Sequence, residues 1–256
     1  MTALLEATAI TKSFSGIRAL DGVDLTVEKG QRVGLIGPNG AGKTTFFNCL
    51  LGISPQTTGK IVFDGQDLRG MSVPRRARAG IGRTFQRIEL FADTTVREHL
   101  LIAERIRNGT GSFFKDLIGL GRSTPAEIAE ADAVLELLGL EDLANAQIES
   151  LSLGKGRLVE VGRALMTRPQ LLLLDEPSSG LDHSETAALA QTLREVQAEQ
   201  GFAILLVEHD VELVTSFTER TYVLDFGRTI AAGPTAEVMH DPAVRRAYLG
   251  NVGVGR

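Results

Sequence analysis

Two short stretches carry residue types and spacings that can do chemistry. Gly37-Pro38-Asn39-Gly40-Ala41-Gly42-Lys43-Thr44-Thr45 fits the pattern GxxxxGK[ST]. Glycines so placed let successive backbone N–H groups curl around phosphate oxygens, and a helix opening on the loop adds positive potential. Lys43 can then reach the β- and γ-phosphates of ATP, and the Thr44 hydroxyl can ligate Mg²⁺. A plain glycine-rich turn is the simpler alternative. The loop lies, however, between a strand expected over 32–36 and a helix expected over 43–51, which is the context that phosphate binding needs. In Leu171-Leu172-Leu173-Leu174-Asp175-Glu176, four apolar residues are followed by two acids. A buried strand of this kind delivers Asp175 at its carboxyl end, where α/β sheets bind ligands. Asp175 would hold Mg²⁺ through water, and Glu176 would polarise an attacking water, a task that requires an acceptor within hydrogen-bond reach.

The elements that must position these groups follow from periodicity. The chain reads as β-rich up to about Ile36: Val23-Asp24-Leu25-Thr26-Val27 alternates apolar with polar, and a Glu28-Lys29-Gly30-Gln31 turn leads into Arg32–Ile36. Another strand, Lys60–Phe63, ends at the turn signal Asp64-Gly65. From about 95 to 150 the pattern is helical, with Val134, Leu135, Leu137 and Leu138 on a stripe that closes at Gly139. Asn108–Phe114 reads as a loop opening into a short apolar segment. After 157 the expectation is a helix to about Thr167, a strand over 171–175, a helix over 184–199 and a strand over 202–207. Leu189, Leu193 and Val196 mark one face of the 184–199 helix. Such alternation implies a mainly parallel, buried sheet. There is no internal repeat or low-complexity tract.

Composition narrows the class. A chain of 256 residues, 43% hydrophobic and 23% charged, is ordinary for one large α/β domain or a core with a subdomain. The formal charge of −5 gives no electrostatic footprint for nucleic acid. Arg75, Arg76, Arg78, Arg83 and Arg87 cluster, and such a run is expected to be a solvated face. Cys49 is the only cysteine and falls in an apolar helical run, so it reads as buried filler in a reducing compartment. The start lacks a signal-peptide pattern, and no apolar run approaches the roughly 20 residues of a membrane span. The expectation is a cytoplasmic protein whose membrane role, if it has one, comes through a partner.

Two further stretches make the pattern specific. Leu151-Ser152-Leu153-Gly154-Lys155 precedes the helix that ends near Thr167 and resembles the LSGGQ signature of ATP-binding cassette (ABC) ATPases. The order continues as in that family. Gln86, in Arg83-Thr84-Phe85-Gln86, matches the Q-loop glutamine; Ser179-Gly180-Leu181-Asp182 matches the D-loop; His209, in Val207-Glu208-His209-Asp210, matches the switch histidine. Phe14 lies where an aromatic ring stacks on adenine. Any one of these alone would read as structural; the ordered set across the chain reverses that.

The resemblance implies an α/β fold: a P-loop NTPase (RecA-like) core, about 1–86 and 157–256, with an antiparallel β subdomain and an α-helical subdomain, about 87–156. It implies Glu176, His209 and Gln86 as catalytic, and Phe14 with residues 37–45 on the nucleotide. Mg²⁺ would be held by Thr44, Gln86 and Asp175. Ser152, Gly154, Lys155 and Asp182 would act in trans, across a dimer with an identical or paralogous ATPase. The signature departs from the family at Leu153 and at Lys155, which stands in the place of the glutamine.

Thr84–Phe91, the segment around 109–121 and the ending Asp241–Gly250 resemble the ATPases of branched-chain amino acid importers and their amide and urea relatives. That branch implies membrane permease subunits as direct partners, a solute-binding protein as an indirect one, and a place on the inner face of the cell membrane. Two other readings stand beside it. Lipid- or lipopolysaccharide-extracting ATPases lack the 109–121 segment, and soluble ABC proteins usually carry two cassettes or an inserted coiled coil. A non-hydrolysing module would lack Lys43 or Glu176, and both are present.

Overall fold

The computed structural model describes residues 3–84, 94–108 and 123–249. Its N-terminal part is antiparallel. β1 (Ala3–Phe14) and β2 (Ile17–Glu28) form a hairpin whose turn residues Ser15 and Gly16 have φ of 46° and 87°. Two left-handed residues in a two-residue turn match the right-handed twist of the paired strands. After β3 (Arg32–Ile36) and α1 (Lys43–Leu51), β4 (Thr58–Phe63) and the short β5 (Gln66–Asp67) complete a sheet in the order β2-β1-β4-β5.

The second sheet contains the strands that carry the acids. α2 (Val73–Arg78) leads to β6 (Ile81–Arg83), and a helical stretch follows: α3 (Val96–Asn108), α4 (Pro125–Leu137) and α5 (Leu153–Leu165). Then come β7 (Leu171–Asp175), α6 (His183–Gln200), β8 (Ala203–Glu208), α7 (Val211–Phe217), β9 (Arg220–Asp225) and β10 (Arg228–Pro234). Two short helices, α8 (Thr235–Val238) and α9 (Pro242–Leu249), close the described chain. The order is β10-β9-β3-β8-β7-β6, with every pairing parallel except that of β10 on β9.

The core shows why these segments are strands. Every residue of β7 and of β8 is buried, as expected for parallel strands covered on both faces. Alternate side chains point to opposite faces. Leu171, Leu173, Leu205 and Val207 pack with Phe46 and Phe47 of α1 on one side, whereas Leu172, Leu174, Ile204 and Leu206 pack with α3 to α6 on the other. Among the described residues no helix is long and apolar enough to cross a membrane.

Several sequence expectations are corrected. The helix expected after 157 begins at Leu153, because Ser152 is its N-cap and accepts a hydrogen bond from the Lys155 N–H at 3.3 Å. The strand expected over 60–63 starts at Thr58, and that expected over 202–207 runs from Ala203 to Glu208. The arginine run is not one solvated face. Arg76 is 3% exposed and donates to the carbonyls of Cys49, Leu50, Leu68 and Met71 at 2.6–3.0 Å. Cys49 is buried, as expected.

Candidate nucleotide site

The loop between β3 and α1 is held open by its glycines. Gly42 caps α1 at φ 106°, and a Cβ there would lie 2.8 Å from the Ala19 carbonyl oxygen of β2. A Cβ on Gly37 would collide with the carbonyl of Leu224. Other residues are therefore excluded by contact as well as by backbone angle. Lys43 is folded back into the loop, its Nζ donating to Gly37 O at 2.6 Å and to Pro38 O at 3.1 Å. Burial pulls its pKa below the ordinary lysine value, and the carboxylates of Glu176, Asp175 and Glu208 pull it partly back. A buried ammonium on two carbonyls, at the N-terminus of a helix, is a cradle that suits phosphate. Thr44 is exposed and Thr45 half-buried in the first turn of α1, while Asn39 and Gly40 are exposed at the loop's crest and Ala41 is buried.

The acids arrive from the end of β7, which β8 separates from β3. Asp175 is 2% exposed and accepts from Arg83 Nη2 at 3.0 Å. Burial raises its carboxyl pKa, and the Arg83 charge opposes that rise. Glu176 adopts φ 48°, a left-handed conformation unusual for a side-chain-bearing residue, and its N–H donates to Val207 O at 2.9 Å. Such a conformation costs about 1–3 kcal/mol and recurs at functional positions. Its Oε1 lies 3.9 Å from Nδ1 of His209, on the loop after β8. An acceptor and a histidine so placed can orient a water. A hydroxyl on α1 and a carboxylate on β7 are oxygen donors of the kind Mg²⁺ takes alongside phosphate, so the residues fit that ion.

Phe14 ends β1 at the hairpin tip and is 47% exposed; Lys12 Nζ lies 4.9 Å from its ring centroid. The same hairpin touches the phosphate loop through Ala19 and Leu20. Gln86 lies outside the described residues, as do 109–121 and Gly250.

The remaining predicted residues gather at the N-termini of α5 and α6. Ser152 is exposed, and a Cβ on Gly154 would sit 3.4 Å from Glu185 Oε1 of α6. Asp182 caps α6 in a capping box with Glu185. The Glu185 N–H, and then the Ser184 hydroxyl, hold its carboxyl pKa below the usual range. Lys155 sends its Nζ to Gly139 O at 3.5 Å, and Leu153 leans on Gly180 of the D-loop, 2.9 Å from where a Cβ would stand.

Sequence reasoning missed three residues here. Glu208 is fully buried and Arg157 nearly so, and Arg157 donates to Ser179 O at 3.1 Å. Arg83, which the sequence places in a charged run and beside the Q-loop glutamine, pairs with Asp175. The one available signal was Glu208 itself, a carboxylate at the end of an otherwise apolar strand.

Comparison with known proteins accords with this geometry. The family model described as ABC transporter matches residues 20–179, and that described as branched-chain amino acid ATP-binding cassette transporter matches residues 228–253. The chain is 38% identical, over 96% of its length and 98% of the relative's, to the high-affinity branched-chain amino acid transport ATP-binding protein BraF of Pseudomonas aeruginosa. It is 35% identical, over 97% of its length and 98% of the relative's, to the lipopolysaccharide export system ATP-binding protein LptB of Escherichia coli. The ADP conformation of MJ1267, an ATP-binding cassette of an ABC transporter, superposes with a TM-score of 0.88 at 32% identity, covering 98% of this chain and all of that one. With a phosphate cradle, paired acids and a capped signature helix in that family's order, the chain belongs to the ATP-binding, ATP-hydrolysing subunits of ABC transporters.

Proposed function

We propose that this subunit powers the import of branched-chain amino acids or a related small polar solute. The observation that carries this reading is the match of residues 228–253 to the branched-chain amino acid cassette family, added to full-length similarity to BraF. Similarity to LptB alone would equally suit lipopolysaccharide extraction, and the C-terminal match favours the importer.

In this reading ATP lies on residues 37–45 with Phe14 against the base. Lys43 binds the β- and γ-phosphates, and Mg²⁺ is held by Thr44, Gln86 and, through water, Asp175. Bound Mg²⁺ offsets phosphate charge; Glu176, with His209 and Gln86, orients the water. Ser152, Gly154 and Asp182 face the nucleotide of a second ATPase subunit, identical or paralogous, and Lys155 lies in the same signature turn at that interface. The chain is one cassette, with a core of about 1–86 and 157–256 and a helical subdomain of about 87–156. Permease subunits recruit it to the inner face of the membrane, and a solute-binding protein acts through them.

The test is reconstitution in proteoliposomes with branched-chain amino acid permease subunits and their solute-binding protein. Leucine, isoleucine or valine on the binding protein should stimulate ATP hydrolysis and drive uptake of labelled solute. Stimulation by lipopolysaccharide instead, with no amino acid uptake, would transfer the chain to the other branch.

A further inference from the structure

Glu208, the last residue of β8, has no solvent exposure, yet nothing in the ATPase roles above uses it. Its carboxylate is shared between two loops. Oε1 accepts from the Ser178 N–H at 3.0 Å and from the Ser178 hydroxyl at 2.7 Å. Oε2 accepts from the N–H groups of His209 at 3.0 Å and Asp210 at 3.4 Å. The Lys43 and Arg157 charges also feel it, and Arg157 donates to Ser179 O of the same loop. A buried carboxylate is costly unless its oxygens are satisfied, and four donors do that here. The donors come from two loops: one follows Glu176, the other carries His209.

We propose that Glu208 is a positioning residue that clamps the loop after Glu176 to the loop of His209, and so sets the 3.9 Å approach of those two side chains. The proposal rests on the roles given to Glu176 and His209 above. Both loops emerge from adjacent strands, with Asp175 opposite Val207, and backbone pairing continues to Glu176, whose N–H donates to Val207 O at 2.9 Å. From Ser178 on one side and His209 on the other, the Glu208 carboxylate ties loop to loop. Glutamine has the same shape but one oxygen, so its NH₂ must face the N–H donors of one loop or the other.

Purified chain is assayed for steady-state ATP hydrolysis and melting temperature, with Glu208→Gln, Ser178→Ala, His209→Ala, Glu176→Gln and the double variant Glu208→Gln/His209→Ala. The expected result for Glu208→Gln is a loss in kcat of about tenfold or more with KM for ATP within about threefold, the pattern of a lost transition-state contact. Ser178→Ala, the gentler change, should lose a few-fold in the same direction, and it decides the matter alone if Glu208→Gln does not fold. In the His209→Ala background, Glu208→Gln should add less than about twofold, because residues acting as a unit are not additive. A lower melting temperature with kcat kept, or full additivity with His209→Ala, would reduce Glu208 to a packing role and overturn the proposal. Unchanged turnover in Glu176→Gln and His209→Ala would overturn the site reading and the proposal together, a result distinct from neutrality at Glu208 and Ser178 alone.

Discussion

At the residue scale, the departure of the signature at Lys155 now has a structural reading. Its ammonium turns toward the Gly139 carbonyl at the end of α4, a contact at the long limit of a hydrogen bond. Lys155→Ala and Lys155→Gln are therefore expected to leave the ATPase rate within about twofold, as partly exposed changes usually do. Ser152→Ala removes both the helix cap and the exposed hydroxyl, and should lower the rate clearly in the same steady-state assay. A large loss with Lys155→Ala that Lys155→Gln restores would instead put that side chain on nucleotide. The phosphate-loop residues were legible in the sequence because gripping phosphate fixes residue types at short spacing. Residues whose partners are remote in sequence were not. Glu208 meets Ser178 across 30 positions and Arg83 meets Asp175 across 92, and no local pattern announces either pair.

At the element scale, α1 depends on a residue that looked like surface charge. The Arg76 guanidinium donates to Cys49 O and Leu50 O in the helix's last turn, the former shared with the Gly52 N–H, and places positive charge at the negative end of its dipole. Arg76→Met should cost roughly 2–4 kcal/mol, since four carbonyls lose a charged donor, and should bring weaker nucleotide binding as α1 loosens. Urea denaturation with and without ATP checks both effects. The neighbouring helical layer carries a pH dependence. His99 of α3 is 1% exposed, and burial, aided by the nearby Arg163 charge, lowers its pKa to about 4. The unfolded chain takes up that proton first, near the ordinary value of 6.5. Its contribution is thus complete above that pH and is lost as pH falls toward about 4, on the order of 3 kcal/mol in all. His99→Leu should flatten that part of the acid limb in denaturation curves run across the interval; an unchanged slope would mean that other groups set it. Helix and strand types were legible where period 2 or 3.6 shows, in β2 with Val23, Leu25 and Val27 and in α6 with Leu189, Leu193 and Val196; β7 and β8, buried on both faces, show no period and were typed by length and setting, and the strands after β8 were not assigned. The start of α5 was missed because Ser152 was read for its chemistry, when it also caps the helix.

At the scale of the molecule, the candidate residues fall into two groups, one around the phosphate loop and one at the exposed N-termini of α5 and α6. Ser152 and Asp182 cap their helices there, and on the proposed reading the second group also meets a nucleotide brought by another subunit. Glu176→Gln should accordingly keep ATP binding, lose turnover by at least about a hundredfold, and elute as a dimer with ATP and Mg²⁺ on a sizing column. Near-normal hydrolysis by this variant would remove Glu176 from the mechanism. The central position of β3 also bears on how the protein is made. This strand ends at Ile36, but its two partners are β8 and β9, which end at Glu208 and Asp225. On the ribosome, at roughly 5–20 residues per second, the phosphate loop is complete some 10–40 s before the strands that support it exist. During that interval β3 lacks both of the strands it pairs with in the folded protein. Nascent chains arrested before β8 should bind no ATP, and competence should appear only once β9 has left the exit tunnel.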